Sequence, residues 1–258
     1  MTIPETLGKI LYRGFVPIIL PDRLSVPLCL DELVSVGIEA VEISCLREDF
    51  LRVVAETKRQ YPNTAIGAAG LMEEGRLKDH ISANSTPLPS IQQAVDAGVD
   101  FLVSHLPFGE TTYERYGQSH VLVPSVITPG EAQQAVDAGA HLVNFLVPYL
   151  AGGPVYLKAL DAATGYSLPI FTTGQVRFEL LPGYIAAGAL VCGAGFDTIL
   201  GPDYRPMQNA FDEDYVTEAL LRFVRTIERS RTYRMENVPF RSKDAVAISR
   251  ATGRFMSV

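Results

Sequence analysis

A single acidic residue lies inside an apolar segment of the chain. Glu42 belongs to the run AVEIS, in which its neighbours are apolar or small. Charged side chains are seldom buried without a partner or a function. Burial among apolar groups raises the pKa of a carboxyl group towards neutral pH. Glu42 is therefore a candidate for moving protons to and from a substrate. The alternative is a structural glutamate that is hydrogen-bonded within the fold.

An arginine and two histidines could complete such a site. Arg47, in CLRED, offers paired donors that suit a carboxylate, or it is a solvated residue of a first helical turn. His105 ends an apolar run and could exchange protons with Glu42, whereas His80 lies in a long polar segment. A non-catalytic role for either histidine stays open.

A metal site is the alternative use of these histidines. Together with Glu42 and Asp79, His80 and His105 could gather a metal ion that polarises a bound substrate. The sequence has no HxH or HExxH spacing to support this arrangement. We therefore predict no metal ion and no other cofactor.

Composition narrows the class of protein. The chain has 258 residues, of which 47% are apolar and 20% charged, an ordinary globular balance. Its net charge of −7 disfavours binding to nucleic acids or anionic membranes. No apolar run approaches the roughly 20 residues that span a bilayer, and the first residues do not resemble a signal peptide. The three cysteines form no CxxC pair. We predict a cytoplasmic protein with a small-molecule substrate.

Eight short apolar runs alternate with segments of helical periodicity. Near-continuous apolar runs are typical of strands that are covered on both faces. The heptapeptide QQAVDAG occurs at residues 92–98 and 133–139, each time before such a run. The sequence thus predicts an α/β protein, a (β/α)8 TIM barrel. An open doubly wound sheet is the second choice, without support from a GxGxxG motif. The runs are FVPIIL, IEAVEIS, TAIGAA, DFLVSH, HVLVPS, HLVNFLV, LPIFTTG and ALVCGAG.

Two segments lie outside the repeat. Residues 71–89, after the third predicted strand, form an unusually long connection at the end of the barrel where active sites lie. Residues 212–258 begin with a predicted helix and end in a basic tail. We expect a barrel domain over residues 1–211 and a C-terminal extension that packs on it or on a neighbouring subunit.

Successive blocks between about residues 14 and 200 resemble those of the 2-keto-3-deoxy-6-phosphogluconate (KDPG) and 4-hydroxy-2-oxoglutarate aldolases. This resemblance implies a TIM barrel that cleaves a 2-oxo acid to pyruvate and an aldehyde through an iminium on a lysine. It also implies a homotrimer. The blocks are VPIIL, GIEAVEIS, AIGAA, VPSVITPGEAQQAVDAGA, NFLVPYLAGGPVYLKAL, FTTGQV and VCGAG.

The resemblance places the family's catalytic residues on particular positions. Glu42 matches the proton-transfer glutamate, and Arg47 nearly matches the carboxylate-binding arginine, with one residue more between the two. The position of the iminium-forming lysine falls on Asn144, which cannot form an iminium. Lys78, in the long connection, and Lys158, on the following helix, are the candidates for a relocated amine.

Other matching positions have also changed. Gly70 replaces a threonine, His105 lies in a former Ser-Pro-Gly, and Ser125 replaces the glycine of a Pro-Gly. A Pro-Thr-Gly-Gly block reads Thr172 to Gln175, and a Gly-Gly-Ser block reads Gly193 to Gly195. Barrels commonly bind phosphate between these last two loops. The residues expected to bind substrate are Arg47, Gly70, Ser125, Thr173, Gly174, Gly193 and Gly195.

These observations favour a lyase that acts on a 2-oxo acid or sugar acid, with or without a phosphate, and forms no iminium. Glu42 would transfer protons with His105 as its partner, while Arg47 would hold a carboxylate. Asn144 would donate a hydrogen bond to an enolate or carbonyl oxygen. Two alternatives stay open: a non-catalytic anion-binding or assembly protein on the same barrel, and a metal-dependent aldolase.

Overall fold

The structure is a computed structural model that describes residues 1–20, 24–146, 148–165, 167–201 and 212–237. Parallel strands alternate with helices along the chain. The strands are β1 (Phe15–Ile19), β2 (Ala40–Ser44), β3 (Ala65–Leu71), β4 (Phe101–Ser104), β5 (Val121–Val123), β6 (Ser125–Val126), β7 (Val143–Leu146), β8 (Ile170–Thr173) and β9 (Val191–Gly195). The helices are α1 (Ile3–Arg13), α2 (Val26–Ser35), α3 (Phe50–Gln60), α4 (Arg76–Asn84), α5 (Ile91–Ala97), α6 (Glu110–Tyr116), α7 (Pro129–Ala138), α8 (Gly153–Ala163), α9 (Leu181–Ala186), α10 (Phe196–Leu200) and α11 (Glu213–Asn237), with 3-10 turns at Pro148–Ala151 and Phe178–Leu180.

The strands close into a barrel, and a proline interrupts one of them. The strand order is β5-β4-β3-β2-β1-β9-β8-β7-β6. Only Pro124 separates β5, which pairs with β4, from β6, which pairs with β7. Proline has no N–H group, but the Pro124 carbonyl accepts a hydrogen bond of 2.9 Å from the Asn144 N–H group. The nine segments therefore make eight strands, which confirms the predicted (β/α)8 fold.

The repeated heptapeptide occupies equivalent places in two units of the barrel. Its two copies form most of α5 and α7, and each helix begins with a capping box, from Ser90 and from Thr128. Each ends at a glycine, Gly98 or Gly139, with φ of 103° or 106°. This left-handed conformation is easily reached only by glycine, and it turns the chain into the next strand.

Helix α1, to which the sequence analysis assigned no element, covers the amino end of the barrel. Thr2 caps it, and its apolar face brings Ile3, Leu7 and Ile10 against the strands. These side chains are almost completely buried, with Ile10 at 0% exposure. They close the barrel from below with an apolar layer. Its strand residues are Val16, Ala40, Ala65, Phe101, Val103, Val121, Val123, Leu142, Phe171, Leu190 and Val191.

The two segments outside the repeat are anchored to the barrel. The connection after β3, expected to be a loop, contains α4, because residues 76–84 form a helix; this corrects the sequence analysis. Helix α11, predicted from residue 212 onwards, packs through Phe223, whose ring stacks on Phe15 at 5.2 Å. The basic tail lies outside the described residues, so the expected division at residue 211 stays a prediction. Among the described helices, none is both long and apolar enough to span a bilayer.

Candidate active site

The barrel interior becomes polar towards the carboxyl ends of the strands. Among the buried polar side chains above the apolar layer are Glu42 on β2, Ser125 on β6, Asn144 on β7 and Thr173 on β8. All four are at most 5% exposed. Active sites of TIM barrels lie at this end of the strands. The polar cluster is therefore in the place where catalysis would be expected.

Glu42 is a buried carboxyl group with an unused oxygen. It is 1% exposed, and its Oε1 has no hydrogen-bond partner among the residues that the structure describes. Burial raises the pKa of this carboxyl group from 4.5 to about 8. Near neutral pH the group is thus protonated for most of the time but loses its proton readily. These properties suit proton transfer.

Asn144 is fixed by a chain of hydrogen bonds. Thr173 Oγ1 donates to Asn144 Oδ1 at 2.9 Å, and Asn144 Nδ2 donates to Ser125 Oγ at 2.9 Å. Ser125 Oγ in turn donates to the Ser104 carbonyl at 2.5 Å. The chain defines which end of the amide is nitrogen, and it leaves the second hydrogen on Nδ2 for a ligand.

Glu42 and Asn144 lie on opposite sides of the barrel. In the closed strand order, β2 and β7 are four steps apart in either direction, through β1, β9 and β8 or through β3, β4 and the β5–β6 strand. A molecule that enters the mouth would therefore have a proton donor and acceptor on one side. It would have a fixed N–H donor on the other side.

Arg47 lies on the rim just beyond β2. Its Nε and Nη2 donate to the carboxylate of Asp49 at 3.0 and 3.4 Å, and Nη1 donates to the Leu20 carbonyl at 3.3 Å. Among the five N–H bonds of a guanidinium group, these contacts leave one on each terminal nitrogen. The remaining pair can bind a carboxylate, although Asp49 already balances part of the charge.

His105 and Gly70 are neighbours on the adjacent part of the rim. Gly70 has a φ of 81° at an irregularity of β3, and a Cβ at this position would lie 2.9 Å from His105 Cε1. The imidazole of His105 can therefore take this position only because residue 70 is a glycine. The residue as a whole is exposed, but the surrounding protein desolvates its ring and lowers the pKa of His105. A neutral ring can both donate and accept a proton.

The expected glycine positions lie at the ends of β8 and β9. A Cβ on Gly193 would lie 2.7 Å from Thr173 Cγ2, so the strand backbone approaches that side chain closely. Gly174 has a φ of 81°, and Gln175 after it has a φ of 52°. Gly195 precedes the short helix α10. These residues form the rim next to Thr173.

Several candidates do not join this site. His80 and Asp79 are exposed on α4, where His80 contacts Asn84, and Lys158 is exposed on α8. In the described part of the chain, no group of three His, Cys, Asp or Glu residues could hold a metal ion. Lys78 is only 5% exposed, but its Nζ forms an ion pair of 2.6 Å with Glu74.

Sequence reasoning missed two features of the site. It named Ser125, Asn144 and Thr173 separately, and only the closure of the barrel joins them into one chain of hydrogen bonds. It also passed over Asp197, two residues after the last matching block. The signal that could have found Asp197 is an acidic residue two positions after Gly195, which replaces the serine of the matching block.

The sequence model of one aldolase family, KDPG and KHG aldolase, matches residues 13–204. The chain belongs to this family. It is 26% identical over 165 residues to the 2-dehydro-3-deoxy-6-phosphogalactonate aldolase of Escherichia coli (strain K12), a match that covers 64% of this chain and 74% of that protein. It is 24% identical over 200 residues to the 2-dehydro-3-deoxy-phosphogluconate aldolase of Treponema pallidum (strain Nichols), which covers 76% and 86%.

Solved structures of family members share the fold. The 2-keto-3-deoxy-6-phosphogluconate aldolase of Zymomonas mobilis ZM4 superposes with a TM-score of 0.65 and 18% identity, over 85% of this chain and 94% of that one. The family resemblance drawn from the sequence is thus confirmed. At this identity, the structural likeness speaks for the barrel alone.

Proposed function

We propose that this chain is a lyase that makes and breaks a bond at C3 of a 2-oxo acid without an iminium. The observation that carries the proposal is Glu42, which is buried, has a pKa of about 8 and has an oxygen, Oε1, with no hydrogen-bond partner among the described residues. Across the barrel from it, an amide occupies the position that the resemblance assigns to the amine. The relatives are named as aldolases of phosphorylated 2-dehydro-3-deoxy sugar acids, which supports a 2-oxo sugar acid as the substrate class.

In the proposed reaction, Arg47 holds the carboxylate of a 4-hydroxy-2-oxo acid and Asn144 Nδ2 donates to its 2-oxo oxygen. The Glu42 carboxylate takes the proton of the 4-hydroxyl group. The C3–C4 bond then breaks, its electron pair moves to the 2-oxo oxygen as an enolate, and C4 leaves as an aldehyde. Glu42 returns the proton to C3, which gives pyruvate. His105 on the rim would assist the proton transfer in its neutral form.

The hydrogen-bond donors around the enolate would replace the positive charge of an iminium. Fixed donors in a site without water stabilise a developing oxyanion strongly, because they need no reorganisation. Thr173 and Ser125 hold the Asn144 amide in one orientation, which supports this role. The guanidinium of Arg47 would share the charge through the substrate carboxylate.

One observation favours a second mechanism. Lys78 is buried, and a buried amine near the barrel mouth could form an iminium in place of the residue at position 144. Its ion pair with the exposed Glu74 opposes this, because that contact holds Nζ away from a substrate carbonyl.

We also propose that the protein works as a homotrimer in the cytoplasm. The family resemblance supports the trimer, and so does a group of exposed apolar side chains near the carboxyl ends of β6 and β7. Ile127, Leu150 and Val155 are 53%, 74% and 79% exposed. Exposed apolar surface of this kind favours contact between subunits. Sedimentation at several concentrations would distinguish a trimer from a monomer.

Hydrogen exchange at pyruvate tests the central proposal. In D2O, the wild-type protein should replace the methyl hydrogens of pyruvate with deuterium, which proton NMR follows as loss of the methyl signal. Glu42→Gln should slow the exchange by about 10²–10⁴-fold. Borohydride reduction in the presence of pyruvate should leave the mass of the wild-type protein unchanged, whereas Asn144→Lys should give a covalent adduct.

Each contrary result points to a different alternative. A wild-type adduct that peptide mapping places on Lys78 would establish the relocated lysine. Absence of exchange, with a known family aldolase active in the same buffer, would reject the lyase and favour a binding protein. Exchange that requires an added metal ion would favour a metal-dependent aldolase.

A further inference from the structure

The loops after β8 and β9 decide which chemical group the far end of a substrate can carry. In TIM barrels, a phosphate often binds between the last two loops and the amino terminus of a short additional helix. Here those parts are the Gly174–Gln175 turn, the end of β9 and α10. Thr172 pairs with Cys192 in the parallel register, and a Cβ on Gly193 would lie 2.7 Å from Thr173 Cγ2, so the ends of β8 and β9 lie side by side. The two loops therefore border the same part of the mouth.

An acidic side chain lies beside the end of β9. Asp197, in the first turn of α10, folds back so that its carboxylate rests on Gly195. A Cβ at position 195 would overlap Asp197 Oδ1, so the serine of the resembling block could not be accommodated unless that carboxylate moved. Leu20 Cδ1 lies 2.9 Å from the same Cβ position and narrows the space further. Because position 195 is a glycine, the Asp197 carboxylate can occupy the space that a serine side chain would need.

A carboxylate at this point opposes a phosphate. A phosphate monoester carries a charge of about −1.5 to −2 at neutral pH. Repulsion by one carboxylate a few ångströms away weakens its binding by about tenfold or more, even with the dielectric constant of water. The same carboxylate accepts hydrogen bonds and favours a group that donates them.

A second feature of the rim is independent of Asp197. Gln175 is the only non-glycine residue with a positive φ among the residues that the structure describes. The left-handed conformation is unfavourable for a residue with a side chain, and such strain concentrates at functional sites. The backbone at position 175 has the turn conformation that a glycine adopts easily. The side chain of Gln175 adds an exposed carboxamide group at this turn. An amide both donates to and accepts from hydroxyl groups.

We infer that this barrel acts on a 2-oxo sugar acid whose far end is unphosphorylated and bears hydroxyl groups. Asp197 accepts a hydrogen bond from one hydroxyl group, and Gln175 exchanges hydrogen bonds with a second. The inference rests on the proposed function for the 2-oxo end of the substrate. The proposed function does not say whether the substrate carries a phosphate. The inference goes beyond it by assigning an unphosphorylated substrate.

A matched pair of compounds tests the inference: a six-carbon 2-oxo-3-deoxy sugar acid and its 6-phosphate. Calorimetry gives the affinity for each, and pyruvate release gives kcat/KM. The wild-type protein should prefer the unphosphorylated acid by about tenfold or more. Asp197→Asn keeps the shape and removes the charge, so it should reduce this preference by about tenfold, mainly through KM for the phosphate. Asp137→Asn, an exposed change at the end of α7, is the matched control and should leave the preference unchanged.

The outcomes separate the two proposals. Preference for the 6-phosphate by a protein that exchanges pyruvate hydrogens would overturn the inference and leave the proposed function standing. Failure of the exchange would reject the proposed function, and calorimetry would still decide between the two ligands. An Asp197→Asn variant with wild-type circular dichroism and an unchanged preference would also overturn the role of Asp197.

Discussion

The two ends of the barrel solve different physical problems. At the amino end, α1 buries Ile10 and its neighbours against an apolar interior, and the buried side chains of Asp100 and His141 accept hydrogen bonds. Asp100 accepts hydrogen bonds from Lys58 Nζ at 2.6 Å and from the Ile66 N–H group at 2.9 Å. His141 Nδ1 accepts from the Leu122 N–H group at 3.0 Å. This end contributes stability.

The carboxyl end collects the unfavourable features. Glu42 is buried, and its Oε1 has no hydrogen-bond partner in the part of the chain that the structure describes; Gln175 has a left-handed backbone. Both features reduce stability, so they persist only where the rest of the fold compensates for them. The comparison teaches that stability and chemistry are separated along the barrel axis. Substitutions at the two ends should therefore have opposite effects on stability and activity.

The largest effect is expected from Glu42→Gln. Removal of a proton-transfer group should lower the rate of pyruvate exchange by about 10²–10⁴-fold. The same change should stabilise the protein at pH 8, because it removes a carboxyl group whose ionisation is opposed by burial. Chemical denaturation of both proteins at pH 5 and pH 8 measures the effect on stability.

The pH dependence of stability follows from the raised pKa. Between pH 4.5 and about 8, the folded state keeps a proton on Glu42 that the unfolded state releases. The contribution of Glu42 to the free energy of unfolding is therefore most favourable at low pH. It decreases as the pH rises through this interval, by an amount on the order of a few kcal/mol. Glu42→Gln should flatten the decrease. An equally steep decrease in the variant would show that Glu42 does not have a raised pKa.

The amino end should respond in the opposite manner. Ile10→Ala removes a fully buried side chain and should cost about 2–5 kcal/mol of the free energy of unfolding. The pH profile of pyruvate exchange should not change at temperatures where the variant is folded. Tyr12→Ala, at a 62% exposed position of the same helix, is the control and should cost about 0.5 kcal/mol or less. A shifted pH profile in Ile10→Ala would mean that the two ends are coupled.

The sequence predicted the barrel better than the site. The apolar runs and the repeated heptapeptide predicted strands and helices correctly, because burial on both faces leaves a simple pattern. Helix α1 was missed, since a short amphipathic segment before the first strand does not show what it covers. Glu42 was found because a carboxylate stands out in an apolar run. The Thr173–Asn144–Ser125 chain and the contact of Asp197 with Gly195 depend on side-chain positions that no local pattern encodes.

The smallest predicted effect distinguishes catalytic positioning from simple packing. Thr173→Val removes the hydroxyl group that orients Asn144, so the amide can turn its oxygen towards the substrate. Exchange of pyruvate hydrogens should decrease about three- to tenfold, in line with the loss of one hydrogen bond of about 1 kcal/mol. Thr172→Val is the matched control, because Thr172 points to the other face of β8 and donates to the Phe145 carbonyl at 3.3 Å. Both variants should lose similar stability on denaturation, but only Thr173→Val should slow the exchange. Equal slowing by both would mean that Thr173 contributes to packing alone.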